Sequence, residues 1–536
     1  MAGLTTVAEE KTSISRKTWI IPLGLFTLAL VIRLLYAAQI TFPPLDDPAY
    51  YVQGARSIRE GHPFEMAIVW NYHPMPAAVM HLGFDFWMPM TSFLIAASFT
   101  LFGDTMLASQ LPSVICGALL ATLTFYLAQR ALARVVPAER NRLILSSLSG
   151  LYIAINPLLC YQSAVPDSQM IYAALVGGAL LVWIGGESLR RAFLFGLLLG
   201  LAYITRSHAV FLGLAWFGVA LWQLWRRRGQ RKEVLIRAIL TIAGLALVAG
   251  PWVLRTWLTF KFINSPAGLE SALIYDYATL FNVETPINFN TFLALGPGKI
   301  LEARGIALFN AWVEVLGVMF FPTVLLPAIG LGLLWRKTRI LGPAILYCLL
   351  LSLGLPLIFV AASSTGSFYH SSGSMAPVVA IGYVYLLWRL NEWYRQGRKG
   401  RLSIFPLLIG VLCLFEIFQL AVTLPATSSV HNTDREVYAR LDQWLKANPA
   451  GQAVIADEPS SFNYATGLPA LRLPSDEPLD VVQRVADRYQ ARYIIVTGNF
   501  GRYPQLLQSP DNTRFPLAYK DPQGQFEIYR VVQGKP

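Results

Sequence analysis

The chain has 536 residues, 55% of them hydrophobic and only 14% charged, with 43 Lys and Arg against 31 Asp and Glu. Soluble domains carry about a quarter charged residues, so this composition excludes an ordinary soluble protein and implies a multi-spanning membrane protein. The basic excess falls in short clusters between apolar segments, as membrane orientation requires, which argues against a nucleic-acid partner.

Residues 1–17 are polar, and the apolar run at 18–40 is longer than a cleaved signal core of about 7–15 residues, so it reads as a retained anchor. Apolar runs long enough for a span of about 20 residues number eleven. They lie at 18–40, 106–129, 143–160, 168–186, 191–205, 209–225, 238–256, 306–334, 340–362, 375–390 and 402–424. Every second connector is basic: Arg130 to Arg142, Arg190 and Arg191, Arg226 to Arg237, Arg336 to Arg339, and Arg395 to Arg401. That alternation predicts a multi-pass protein of the plasma or inner membrane, with the N-terminus cytoplasmic and the C-terminus extracytoplasmic. Long external loops are then expected at 41–105 and 257–305. The apolar piece Trp87–Gly103 would invert the parity if it spanned, so it reads as a re-entrant or surface-lying helix. Arg33 inside the first span reads as snorkelling or bundle burial.

Composition changes near residue 428. The capping-box spacing Thr433 to Glu436 predicts a helix start. Strand-like runs at 453–457, 491–498 and 526–532 surround a helical stretch at 480–490. The expected fold class is therefore an α-helical polytopic membrane protein of about eleven spans with a small C-terminal α/β extracytoplasmic domain. The boundaries are 1–424 for the membrane domain and 428–536 for the α/β domain.

Acids are scarce, yet PPLDDPAYY at 43–51 places two side by side directly after the first span. Residues Pro48 to Glu60 read as a helix with Tyr51, Val52, Ala55 and Ile58 on its apolar face and Gly61 as its stop, lying on the membrane surface. Pro48 suits the first helical position, which makes Asp47 the N-cap. Asp46 and Asp47 should then point apart.

The acid pair, a tyrosine four positions after its first member, then Ala55 and Gly61, together resemble the first external loop of the GT-C membrane glycosyltransferases. The nearest branch is that of the protein O-mannosyltransferases and lipid A aminoarabinose transferases. WMPMTSFLIAASFTLFG at 87–103, YQSAVPDSQM with Asp167, LAYITRSHAVF with Arg206 and PWVLRTWLTFKF with Arg255 extend the resemblance over about 18–424. It implies an inverting glycosyltransferase that moves a sugar from a polyprenyl-phosphate donor to an acceptor hydroxyl on a glycan, lipid or protein. Asp46 matches the family's first acid and is implied as catalytic base, with Asp167 as the second acid or, alternatively, an N-cap. Asp47 and Tyr50 are implied as structural or acceptor support. Arg206, Arg255, His208 and His370 are implied at the donor phosphate, with interfacial placement as the alternative.

One departure is Trp87-Met88-Pro89, where the aminoarabinose transferases carry lysine before the proline. No cofactor is indicated, with a divalent metal left open as the alternative. His62, His73 and His81 fit no metal motif, and Cys116, Cys160, Cys348 and Cys413 read as buried thiols without ligand spacing. A transporter or flippase of a lipid-linked molecule and a non-catalytic membrane scaffold remain open alternatives, although the candidate groups gather at one face rather than at the midplane.

Overall fold

The computed structural model describes residues 19–44, 46–73, 75–264, 266–320, 324–359, 366–396, 402–475, 477–497 and 513–532. The first half comprises α1 (Ile20–Ala37), α2 (Asp46–Arg59), α3 (Met90–Phe102), α4 (Met106–Leu132), α5 (Glu139–Ile155), α6 (Pro157–Ala164), α7 (Ser168–Trp183), α8 (Leu189–Thr205), α9 (Val210–Arg226) and α10 (Arg231–Phe260). Among the described residues, six helices are long and apolar enough to cross a membrane, and seven if the bent pair α5 and α6 is one span.

Several expected spans are interrupted, each for a local reason. The run at 340–362 is a succession of Gly342–Leu349, a π-turn at Leu350–Gly354, and Leu355–Ile358. Pro356 has no N–H for the helix ladder and its ring would clash with the carbonyl four residues back, and a π-turn absorbs that conflict. At Pro157 the chain bends by 54°. The proline cannot bond the Ile153 carbonyl, and Arg33 does so instead, donating from Nη2 to Ile153 O at 3.0 Å and from Nη1 to Ala154 O at 3.0 Å. Its Nε donates to Ser163 Oγ at 2.9 Å, and the side chain is fully buried. Arg33 therefore follows the bundle-burial reading: its charge is spent on carbonyls that a proline released.

Close helix crossings rest on glycine. Residues Leu325–Trp335 and Ala376–Arg395 form a helix pair in which a Cβ on Gly330 would lie 1.9 Å from Gly382 O. Backbones that approach this closely gain packing that larger residues forbid.

Helix α3 has 13 residues, which at 1.5 Å per residue is about 20 Å, short of a hydrocarbon layer of about 30 Å. It packs against α2 and α4, and Ser98 Oγ donates to Ala108 O at 2.6 Å. Helix α2 is also more embedded than expected: Tyr50, Tyr51, Val52 and Ala55 are all buried.

The C-terminal region is built on a helix of 43 residues, Phe405–Ala447, that runs unbroken from the apolar segment into the α/β domain. The helix start expected at Thr433 is thus corrected. Thr433 lies mid-helix, its Oγ1 turned back to Ser429 O at 3.0 Å, in the back-bonding that replaces capping inside a helix. No proline or glycine interrupts the sequence between Pro425 and Asn448.

The strands are β1 (Glu65–Met66), β2 (Ile68–Val69), β3 (His81–Leu82), β4 (Ala453–Ala456), β5 (Ala470–Arg472), β6 (Ala491–Thr497), β7 (Leu517–Lys520) and β8 (Phe526–Arg530). Six of them form one sheet in the order β2-β5-β4-β6-β8-β7, parallel from β2 to β6 and antiparallel beyond. One face packs Ile455, Leu471 and Ile494 together with Val482 and Val485 of the helix Leu479–Tyr489. The other packs Val454, Ile495 and Ile528 against Val437, Leu441 and Leu445 of the long helix. The edge strand β2 comes from the loop after α1, so the α/β region and that loop share one sheet.

Candidate active site

Helix α2 begins at Asp46, two residues earlier than expected, so Asp47 lies inside the first turn and is not the N-cap. Successive helical residues diverge by about 100°, and the two carboxylates accordingly face different environments.

Asp46 faces the C-terminal domain. Its Oδ2 accepts from Arg472 Nη1 at 2.8 Å, and its Oδ1 accepts from the backbone N–H groups of Ser460 at 2.9 Å and Ser461 at 3.4 Å. Those N–H groups open the helix Pro459–Thr466, whose positive end favours a carboxylate. Arg472 also lies 4.0 Å over the ring of Phe281. Burial pushes the Asp46 carboxyl pKa up, and Arg472 opposes that shift. Asp46, expected as the base, is buried with both oxygens engaged, and it is not among the residues that line the cavity described next.

Asp47 opens into a cavity of about 410 Å³, lined also by Tyr51, Trp87, Arg206, His208 and His370. Asp167 borders this group from the N-cap of α7. Its Oδ1 accepts from Ser168 N and from Ser168 Oγ at 2.8 Å, and its Oδ2 accepts from Gln169 Nε2 at 3.0 Å and pairs with His370 Nδ1 at 3.1 Å. Arg206 Nη1 stands 4.0 Å from Asp167 Oδ1 and donates to Ser168 Oγ at 2.6 Å. His370 Nε2 lies 3.9 Å from Asp47 Oδ2. The two acids differ in basicity. Burial pushes the Asp47 carboxyl up, with His370 opposing. Burial would push Asp167 up too, but His370 and Arg206 outweigh it and hold that carboxyl well below the usual range.

Arg206 and His208 reach the cavity because α8 ends there: Arg206 takes an extended conformation at φ −149°, ψ 129°, and the turn Ser207–Ala209 follows. Arg206 Nε is buried without a hydrogen-bond partner among the described residues, a donor left for an incoming group. His208 Nδ1 lies 2.8 Å from Ser371 Oγ.

Two expected residues stand elsewhere. Arg255 donates from Nη2 to Gly83 O at 2.8 Å, and its guanidinium sits 4.9 Å from the Trp252 ring and 5.3 Å from that of Phe64. It does not line the cavity, because its position on α10 turns it into this aromatic cluster beneath the first loop. Tyr50 is buried, and its hydroxyl accepts from Phe84 N at 2.7 Å, which makes it a structural support of that loop.

Sequence reading missed Tyr51, which follows Asp47 by four residues and so shares its helical face; that spacing was the available signal. Asn264 and Tyr277 of the 257–305 loop also line the cavity, and nothing local in the sequence marks them. Met88 is a buried apolar part of the wall.

Asp47, Asp167 and His370 offer ligand atoms within 4.8 Å of one another, the spacing of a cation site. The donor set is poorly suited to a metal ion. Protein hydrogens already occupy Asp167, and a guanidinium stands beside it.

A second, apolar cavity of about 790 Å³ runs between α8, α9 and α10, lined by residues such as Leu199, Leu214, Leu245 and Leu254. Tyr203, Val210 and Ile263 belong to both cavities, so the polar chamber opens onto an apolar groove.

This architecture is similar to the crystal structure of ArnT from Cupriavidus metallidurans bound to undecaprenyl phosphate, with a TM-score of 0.56 over 97% of this chain and 100% of that one. The apo form of ArnT matches with a TM-score of 0.54, over 97% and 99%. The chain has the GT-C fold. Sequence identity is 12% in both comparisons, so the likeness is one of fold. No protein-family model and no curated protein sequence matches the chain. The α/β region contacts both the 41–105 and the 257–305 loop. Glu477 accepts from Val283 N and Glu284 N at 2.7 Å each, while β5 pairs with β2.

Proposed function

We propose that this protein is an inverting membrane glycosyltransferase. It transfers a sugar from a polyprenyl-phosphate donor to an acceptor hydroxyl, with Asp47 as the base. The observation that carries the reading is the junction of the two cavities. A phosphate-sugar headgroup fits the chamber that holds Asp47, Arg206 and His208, and its isoprenoid tail fits the groove between α8, α9 and α10. Undecaprenyl phosphate bound to ArnT of the same fold supports that class of donor.

In this mechanism the acceptor oxygen attacks the anomeric carbon as Asp47 removes its proton. The bond from that carbon to the phosphate oxygen breaks, and its electron pair leaves with polyprenyl phosphate. A raised carboxyl pKa suits the base, because proton transfer is most effective when the pKa approaches the working pH. Arg206 provides guanidinium donors where phosphate charge grows as the bond breaks. Asp46 holds the helix that presents Asp47.

The test is incubation of the purified full-length protein with a panel of labelled polyprenyl-phosphate sugars and membrane extracts. Label should appear in an acceptor, and Asp47→Asn should lower transfer by about a hundredfold to ten-thousandfold while still binding the lipid donor. Transfer at near wild-type rate by Asp47→Asn, with loss confined to Asp46→Asn, would return the base to Asp46.

A further inference from the structure

We propose that Tyr277 forms the acceptor subsite at a second mouth of the polar chamber, and that its occupant is a ring of an uncharged glycan. This rests on the glycosyltransferase reading above. Among the described residues of the chamber wall, the exposed ones are Val210, Ile263, Leu269 and Tyr277. Val210 and Ile263 also line the apolar groove, so their exposure belongs to the junction that the donor tail would occupy. Leu269 and Tyr277 do not line that groove, and both come from the 257–305 loop. They mark a second way into the chamber. An acceptor must reach Asp47 while a lipid fills the groove, and this mouth is the opening left to it.

The local fold holds the Tyr277 ring in place. It begins the turn Tyr277–Phe281, which Asp276 caps by accepting from Ala278 N at 3.2 Å. Leu280 and Phe281 close the same turn and are buried at 0% and 2% exposure, whereas Tyr277 is 43% exposed. The turn is thus anchored at one end and leaves one ring accessible at the other. Phe281 meets the Tyr277 ring edge to face, with centroids 5.1 Å apart. Phe281 is itself held by Trp70 at 5.0 Å and by the Arg472 guanidinium at 4.0 Å. An aromatic ring fixed in this way gives contact area at a low cost in conformational entropy.

The chemistry of the mouth selects the occupant. No hydrogen bond joins the Tyr277 hydroxyl to another described residue, so it can donate to or accept from a sugar hydroxyl. The face of the ring suits the apolar C–H face of a pyranose. The charged groups close enough to act on Tyr277 are Asp47, Arg472 and Asp46. Arg472 is already paired with Asp46 at 2.8 Å. No spare cation therefore stands beside Tyr277 among the described residues to receive an acceptor phosphate or carboxylate, and Asp47 would repel one.

The experiment uses full-length protein in nanodiscs, the donor identified from the labelled panel, and three acceptor probes: neutral oligosaccharides, a phosphorylated lipid glycan and a peptide containing Ser and Thr. Transfer should favour the neutral oligosaccharides. Tyr277→Ala should raise the acceptor KM about tenfold with kcat changed by less than about twofold, and Tyr277→Phe, which keeps the ring, should stay within about threefold of wild type. Binding of labelled undecaprenyl phosphate should be the same in all three proteins. Preference for the phosphorylated glycan or the peptide overturns the acceptor class. An unchanged acceptor KM in Tyr277→Ala, or an equal loss of undecaprenyl phosphate binding, overturns the subsite. If no panel donor is transferred, the glycosyltransferase reading fails, and the subsite is read separately by NMR saturation transfer from the protein to the ring protons of the oligosaccharides. Signal lost in Tyr277→Ala and kept in Tyr277→Phe supports the subsite, and no signal with the wild type overturns it.

Discussion

Arg472→Met tests whether the C-terminal domain holds the proposed base, Asp47, in place. The Arg472 and Asp46 side chains are each 9% exposed and meet at 2.8 Å, so the substitution leaves a buried carboxylate without its counter-ion. Breaking a buried pair from one side costs about 3–5 kcal/mol. The Ser460 and Ser461 N–H groups remain on Asp46 Oδ1, which places the expected loss near 3 kcal/mol. The consequence for transfer is geometric. Asp46 and Asp47 share a helical turn, and a displacement of about 1 Å at a reacting group can cost about a hundredfold. Scanning fluorimetry of the detergent-solubilised protein and limited proteolysis of the α/β domain report the first effect, and kcat for transfer reports the second. The double variant Asp46→Asn with Arg472→Met removes both charges and should regain part of the lost stability, giving a favourable coupling in the mutant cycle. Unchanged melting, proteolysis and kcat in Arg472→Met would refute the latch, as would strict additivity in the cycle.

Two further outcomes follow from single contacts. Arg206→Gln removes a guanidinium whose Nε is buried and unpartnered among the described residues, and binding of labelled undecaprenyl phosphate should weaken about tenfold or more, as expected for a lost charged hydrogen bond; unchanged binding would remove Arg206 from the donor site. Gly330→Ala would set a Cβ 1.9 Å from the Gly382 carbonyl oxygen, forcing two helices apart, and should lower stability by about 1–3 kcal/mol in a thermal melt, whereas Gly332→Ala, with open space at its Cβ, should not.

Much of the scaffold was legible because membrane burial and sheet pairing leave one-dimensional signals. Apolar runs marked most of the helices, and the runs at 453–457, 491–498 and 526–532 became β4, β6 and β8 within a residue or two. Asp167, Arg206, His208 and His370, up to 203 residues apart, meet around one chamber. The continuity of Phe405–Ala447 was obscured because a capping-box pattern describes a possible helix start and carries no information about whether the helix has already begun.

By itself, the sequence determined that the chain is a polytopic helical membrane protein with a terminal α/β unit, since hydropathy and strand alternation act locally. It also brought forward the acid pair at the head of α2. Which acid faces the chamber was decided only by tertiary structure. Neighbouring residues of a helix point about 100° apart, and the partner that claims Asp46 lies 426 positions away in the chain. Arg255 illustrates the same limit: its place in the sequence suits a phosphate, but the rings of Trp252, Phe64 and Phe260 enclose it. The strand β2 does so too, because two residues of a loop become a sheet edge only where β5 is present to pair with them.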